Sequence, residues 1–124
     1  RQLKDLARNV EQFFHVSCSV ECDGRFDTLP YDVKLHLFRI AQEAVRNALT
    51  HGRGDRIEIG LTRSNGRGFL SIHDQGVGIT ETAHDHEGIG LHTMATRARL
   101  IGGSLKLRQG DPRGTVVVCA FPLP

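Results

Sequence analysis

The sequence predicts an α/β sandwich in which three helices cover one face of a mixed sheet of about five strands. Two observations lead to this fold class: apolar residues recur at helical spacing in three segments, and they alternate with polar residues in five others. The segments follow the order helix, strand, helix, two strands, helix, two strands, and three helices in this order can all pack on one sheet face. The other face should be polar, furnished by Arg56, Glu58, Ser71, His73, Lys106 and Arg108.

The three helices are predicted from the 3.6-residue period of their apolar positions. They cover residues 1–14, residues 31 to about 50, and a segment that begins near Leu91 and ends at Ile101. Pro30 stands at the start of the second helix, and glycines follow the second and third, where helices commonly end.

The five strands are predicted from period-two alternation, and the predicted segments are residues 15–23, 56–62, 69–74, 104–109 and 115–121. Asn65-Gly66 separates the second and third strands. This dipeptide favours positive φ angles and predicts a tight hairpin.

Composition sets limits on the class of protein. The 124 residues, 39% hydrophobic and 24% charged, suit one globular domain spanning residues 1–124. A net charge of +2 and the lack of a long apolar run predict neither a nucleic-acid partner nor direct membrane contact. Three cysteines without framework spacing indicate reduced thiols in a cytoplasmic protein. The chain starts with Arg1, which suggests a piece of a longer protein.

One row of polar side chains follows the edge of the second helix. Glu43, Asn47 and His51 lie one turn apart at the border of its apolar arc. Carboxylate and carboxamide oxygens suit a hard cation such as Mg²⁺, which retains several waters. The alternative is a solvated helix edge with an incidental asparagine.

Asp74 continues the alternation of Leu70 and Ile72, so its carboxylate should point toward the buried face. A carboxylate there needs a hydrogen-bond donor. Gly76 and Gly78 leave room for a flat ligand beside it, although the same pattern also fits a strand that simply ends in a turn.

Gly88-Ile89-Gly90 comes directly before the third predicted helix. Glycines allow a ligand to approach the backbone, and a helix N-terminus favours anions such as phosphate. The motif fits neither a Walker loop nor a Rossmann fingerprint, because it lacks Gly-Lys-Ser/Thr and no βαβ unit frames it.

Together, EAVRNALTHG, DQGVGI and GIGL, in this order, resemble the ATP-binding domain of the gyrase, chaperone, histidine-kinase and MutL superfamily, the Bergerat fold. The resemblance covers residues 29–122. LFRIAQEAVRNALTHG, GLHTMATRARLIGGSL and GTVVVCAFP are similar to sensor histidine kinases of the nitrate-sensor-like class. Residues 1–14 would then be the tail of the dimerisation helices, or a linker from them.

The resemblance implies a histidine kinase catalytic domain with ATP and Mg²⁺ as cofactors. It would supply the γ-phosphoryl group to a histidine on a separate dimerisation domain, from which a response regulator is phosphorylated. This chain alone would be monomeric and would not label itself. Two alternatives remain open: an anti-sigma serine kinase or ATPase on the same fold, and a nucleotide-binding scaffold without catalysis.

The resemblance also implies roles for individual residues. Asn47 would ligate Mg²⁺, and Glu43 would order metal-bound water or assist catalysis. Asp74 would accept a hydrogen bond from the adenine amino group, in a network shared with Thr115. The remaining site residues would form the adenine wall, end the lid or lie near the phosphates: Gly76, Gly78, Gly88, Gly90, Leu91 and His51.

Two departures from the family pattern bear on affinity. Thr50 stands where many relatives carry lysine, and the lid of residues 79–87 contains no Lys or Arg. Both departures predict weaker contacts with the phosphate groups.

Overall fold

The architecture was determined from a computed structural model, which describes residues 2–23, 26, 28–52, 56–75, 88–109 and 114–124. Within these residues three α-helices pack on one face of a five-stranded sheet, which confirms the predicted fold class. The elements are α1 (Gln2–Phe14), β1 (Ser17–Cys22), α2 (Tyr31–Asn47), β2 (Arg56–Ser64), β3 (Arg67–Asp74), α3 (Gly88–Leu100), β4 (Ser104–Gln109) and β5 (Thr115–Pro122).

The sheet is mixed, with the strand order β1-β2-β3-β5-β4. β1 runs parallel to β2, whereas the other neighbouring pairs are antiparallel. Asn65 and Gly66 connect β2 to β3 with φ angles of 54° and 77°, as their sequence predicts. The strand pairs thereby bring the C-terminal end of β3 between the start of β2 and the start of β5.

The core lies between the helices and the covered face of the sheet. Ile40 from α2, Leu70 from β3, Met94 from α3 and Phe121 from β5 are all fully buried. Gly68 lies against the Phe121 ring, where no β-carbon would fit. This apolar layer fixes the position of α2 over the sheet and, through Met94, the position of α3 beside α2.

The opposite face of the sheet is polar, as predicted. Glu58, Ser71, His73 and Arg108 line a shallow depression on it. His73 Nδ1 lies 3.6 Å from Glu58 Oε1, and Gln75 Nε2 donates a hydrogen bond of 3.5 Å to the same oxygen.

Two helix boundaries differ from the prediction. The α-helical part of α2 ends at Asn47 and continues as a π-helical turn, Ala48–Gly52, in which Thr50 Oγ1 donates a 2.8 Å hydrogen bond to the Arg46 carbonyl. Back-bonding of this kind often bends helices, and a hydrogen bond of a threonine hydroxyl cannot be inferred from the spacing of apolar residues. α3 begins at Gly88 rather than near Leu91, because Gly-Ile-Gly forms a first turn that apolar periodicity does not reveal.

The cysteines are free thiols, in agreement with the prediction. Burial raises the pKa of Cys119 to about 11, and burial together with the negative charge of Glu11 raises the pKa of Cys18 to about 11. Cys22 is exposed on the edge strand. Within the described residues, no helix is both long and apolar enough to cross a membrane.

Candidate functional site

The candidate site consists of two parts, and the first, here called the sheet half, lies at the C-terminal end of β3. Asp74 pairs in register with Ile57 on β2 and with Thr115 on β5, so all three side chains share the helix-covered face. Ile57 is buried, whereas Asp74 and Thr115 are half-buried. The Gln75 amide donates a 3.1 Å hydrogen bond to the Arg56 carbonyl, which holds the end of the strand in place.

Gly114 closes the sheet half from the β5 side. Its φ angle is +92°, and a β-carbon at this position would collide with the Asp74 carbonyl oxygen. A left-handed glycine therefore allows the start of β5 to lie directly against the backbone of Asp74. The position of the Asp74 backbone is thus determined largely by backbone packing.

The helix half of the site lies where α2 meets the start of α3. A β-carbon on Gly90 would lie 2.7 Å from Glu43 Oε2 and 3.3 Å from Asn47 Nδ2. Glu43 is 26% exposed, and its Oε2 lies 3.6 Å from Nη1 of Arg46. The structure therefore brings together two motifs that are more than 40 residues apart in the sequence.

The two halves lie at the same edge of the sheet. The turn after α2 ends at Gly52, and β2 begins at Arg56, the residue whose carbonyl binds the Gln75 amide. Gly52 and Arg56 are four residues apart, so they lie at most about 14 Å from each other. Because Arg56 is hydrogen-bonded to the residue after Asp74, the end of α2 that contains Asn47 is the end nearer to Asp74. Glu43 lies one helical turn farther away.

The donor set of the helix half fits a magnesium ion. A glutamate carboxylate and an asparagine carboxamide offer two oxygen-bearing groups, and Mg²⁺ typically takes few protein ligands while water and phosphate complete its octahedron. The Asn47 atom nearest Gly90 is Nδ2, so the carboxamide must rotate to present Oδ1 at this place. Among the described residues no group of three or more His, Cys, Asp or Glu side chains forms a cage of protein ligands.

The other predicted residues are placed as follows. Leu91 is half-buried and follows Gly90 in the first turns of α3, which also contain Gly88. His51 belongs to the π-helical turn, but its side chain lies outside the described part of the chain. Gly76, Gly78 and residues 79–87 also lie outside the described residues.

One group of residues was missed by the sequence reasoning. Arg39, Gln42 and Arg46 line a groove of about 400 Å³ between α2 and α3, together with Arg97. The first three occur with Glu43 at i, i+3, i+4 and i+7, a spacing that places them on one helix face. This spacing indicates a polar face on α2, which is the part of the groove that the sequence could have shown.

The site thus combines a Glu/Asn row on α2, a glycine at the start of α3 and an aspartate at the end of β3. Proteins of known family share similarity with this chain. Residues 32–124 match the family described as histidine kinase-, DNA gyrase B- and HSP90-like ATPase, and the chain belongs to this family.

Curated relatives narrow the resemblance. The nitrate/nitrite sensor protein NarQ of Escherichia coli K12 is 32% identical over 98% of this chain, and the histidine-protein kinase/phosphatase DegS of Brevibacillus brevis is 24% identical over 98%. The chain spans 21% and 31% of their respective lengths. The predicted resemblance to sensor histidine kinases of the nitrate-sensor-like class is confirmed.

Solved structures agree on the fold. The ATP-binding domain of PrrB from Mycobacterium tuberculosis superposes with a TM-score of 0.77 at 22% identity, covering 99% of this chain and 92% of that one. The histidine kinase domain of the Erythrobacter litoralis blue-light activated kinase gives a TM-score of 0.78 at 21% identity, covering 98% and 63%.

Proposed function

We propose that this chain binds Mg-ATP and supplies the γ-phosphoryl group to a histidine on a dimerisation domain, in two-component signal transduction. The observation that carries the proposal is the contact of Gly90 with Glu43 and Asn47 at the edge of the sheet where Asp74 lies. This arrangement supports a base-recognition group in the sheet half and a cation-binding pair in the helix half.

Base recognition is assigned to the sheet half. The half-buried Asp74 carboxylate accepts a hydrogen bond from the adenine amino group, and the hydroxyl of Thr115, its register partner, joins the same network. A charged acceptor contributes about 1.5–3 kcal/mol to such a bond. Gly76 and Gly78 form the wall of the adenine pocket in this proposal.

Phosphate binding is assigned to the helix half. Asn47 and Glu43 hold the cation, and the lack of a side chain on Gly90 leaves space above them. The first turn of α3, from Gly88 through Leu91, directs backbone N–H groups and the positive end of the helix dipole toward the phosphates. His51 lies near the phosphates in this proposal.

Bound ATP supplies the group to be transferred, and phosphoryl transfer depends mainly on positioning and charge stabilisation. The residues of this chain therefore bind the nucleotide at both ends and orient its phosphates. When the cation is bound, Glu43 would order water at it or assist catalysis. The accepting histidine and the response regulator belong to other domains or proteins.

The test is a titration with ATP in the presence and absence of Mg²⁺, followed by incubation with [γ-³²P]ATP and the histidine-bearing domain in trans. We expect Mg²⁺-dependent binding and acid-labile label on the added domain but not on this chain. Failure to bind ATP would refute the proposal, and so would stable acid-labile label on this chain alone. Acid-stable label on a serine substrate would favour the serine-kinase alternative, whereas binding without any transfer would favour a scaffold.

A further inference from the structure

The groove between α2 and α3 carries an excess of positive charge. Among the described side chains that line it are three arginines, Arg39, Arg46 and Arg97, but a single carboxylate, that of Glu43. Met94 lies beneath the groove with its side chain fully buried, so it offers no surface to a ligand. The surface of the groove is therefore defined by its basic rim.

Two of these arginines are held by side chains that carry no negative charge. Nη1 of Arg39 donates a 2.9 Å hydrogen bond to Gln42 Oε1, and Nη1 of Arg97 lies 3.1 Å from His36 Nδ1. A guanidinium has five N–H donors, and each of these contacts engages one nitrogen. The contacts orient both guanidinium groups without neutralising their charge, so the groove remains able to bind an anion.

The groove extends the proposed ATP site away from the base. Asn47, Glu43 and Arg39 form one row on α2 with steps of about 6 Å, and Asn47 is at the end nearer to Asp74. On α3, Arg97 lies seven residues beyond Gly90, about 10 Å along the helix. Arg39 and Arg97 therefore lie farther from Asp74 than Asn47 and Gly90, the groups that would hold the phosphates.

We propose that this groove docks an acidic segment of the protein domain that carries the accepting histidine. The inference rests on the proposed function, because that function defines what approaches Glu43. Arginine pairs with carboxylates through two parallel hydrogen bonds, which provides orientation as well as attraction. A segment with carboxylates matches the basic rim of the groove.

The test compares two double variants with the same change of charge. Arg39→Gln with Arg97→Gln removes the groove charges. The matched control, Arg8→Gln with Arg99→Gln, removes exposed arginines whose contacts, with Asp5 and Thr96, are made within their own helices. The probe is a fluorescein-labelled peptide of ten glutamates at physiological ionic strength, where the Debye length is about 8 Å, and its binding is followed by fluorescence anisotropy.

We expect the groove variant to bind the peptide at least tenfold more weakly than the wild-type chain, and the control to stay within about twofold, because the field of an exposed charge is strongly screened. The affinity for Mg-ATP should be the same in both variants. With the histidine-bearing domain as the phosphoryl acceptor, KM for that domain should rise at least fivefold in the groove variant while kcat is retained.

Three outcomes would overturn the inference. Equal weakening in both variants would mean that the peptide senses net charge alone, and unchanged peptide binding would mean that the groove does not bind acidic segments. A loss of Mg-ATP affinity confined to the groove variant would mean that the arginines hold nucleotide phosphates. The wild-type chain could also fail to bind ATP while the groove variant still binds the peptide more weakly than the control. The proposed function would then be wrong and the histidine-bearing domain would no longer be the expected partner, but the groove would still be a site for acidic segments.

Discussion

The two halves of the candidate site each depend on a glycine, but for different physical reasons. Gly114 has a positive φ angle and lies against the backbone carbonyl of Asp74, a group that cannot rotate away. Gly90 belongs to the first turn of a helix and lies against the side chains of Glu43 and Asn47. The sheet half is therefore shaped by backbone, and the helix half by side chains with rotatable bonds.

This difference shows how a structural glycine can be distinguished from a glycine that serves a site. Replacing Gly114 must distort the sheet, because both the φ angle and the carbonyl oppose a side chain. Replacing Gly90 requires that the Glu43 carboxylate move and that the Asn47 carboxamide shift slightly, because a β-carbon would lie 2.7 Å and 3.3 Å from them. Arg46, the partner of Glu43, is largely exposed and can follow. We therefore expect a side chain at Gly114 to cost more stability than one at Gly90.

The largest effect is expected for Gly114→Ala, which should lower the free energy of unfolding by about 3–5 kcal/mol through backbone strain and overpacking. Gly66→Ala is the matched control, because Gly66 has a φ angle of +77° and a β-carbon there would meet no atom within 4 Å. Its cost should be about 1–2 kcal/mol, from strain alone. Urea denaturation measures the free energy of unfolding of both variants. Equal losses would show that the contact of residue 114 with the Asp74 carbonyl adds nothing to the cost of the positive φ angle.

Asp74→Asn should have the next largest effect, on base selectivity. Guanine presents a carbonyl where adenine presents its amino group, so the carboxylate should favour ATP over GTP by about 10-fold to 150-fold. The carboxamide can both donate and accept, so the variant should narrow that ratio. Competition against one fluorescent nucleotide measures it, and equal affinity of the wild-type chain for both nucleotides would remove Asp74 from the pocket.

Asn47→Ala should act on the helix half alone. Removing the carboxamide oxygen should weaken Mg²⁺-dependent ATP binding about tenfold, an effect of about 1.4 kcal/mol, while adenosine binding persists. Alanine is a better helix former than asparagine, so stability should change little. Calorimetric titrations with and without Mg²⁺ provide the measurement. An unfolded variant, or unchanged dependence on Mg²⁺, would make Asn47 structural.

Gly90→Ala should have the smallest effect on stability, within about 1 kcal/mol, because the gain in helix propensity offsets the displacement of Glu43. ATP affinity should fall a few-fold. The double variant Gly90→Ala with Glu43→Ala provides the control. If the added methyl group acts by displacing Glu43, the loss of ATP affinity in the double variant should be smaller than the sum of the losses in the two single variants. Additive losses would mean that Gly90 acts on the nucleotide or the backbone directly.

Sequence patterns were sufficient for the layers of this fold, because apolar periodicity reports which face of each helix and strand is buried. Asn65-Gly66 was equally informative, since the positive φ angles of the hairpin restrict the residues that can form it. The alternation through Ile72 to Asp74 also placed that carboxylate on the covered face correctly.

The features that patterns missed depend on contacts between distant segments or on local hydrogen bonds. The π-helical turn after Asn47 and the start of α3 at Gly88 were not indicated by apolar periodicity. The close approach of Gly90 to Glu43 exists only after α3 packs beside α2. The roles of the site residues remain predictions, because they depend on a nucleotide that the sequence does not describe.

The order of strands also has a consequence for how the chain folds. β2 and β3 are joined by a two-residue loop, whereas β1 must wait for α2 to cross over before residue 17 can pair with residue 56. Local pairing has a lower entropic cost of loop closure than distant pairing. We therefore expect the hairpin that ends at Asp74 to form early and the edge strand β1 to join late. In pulse-labelled hydrogen exchange, the amides of β3 should gain protection before those of β1.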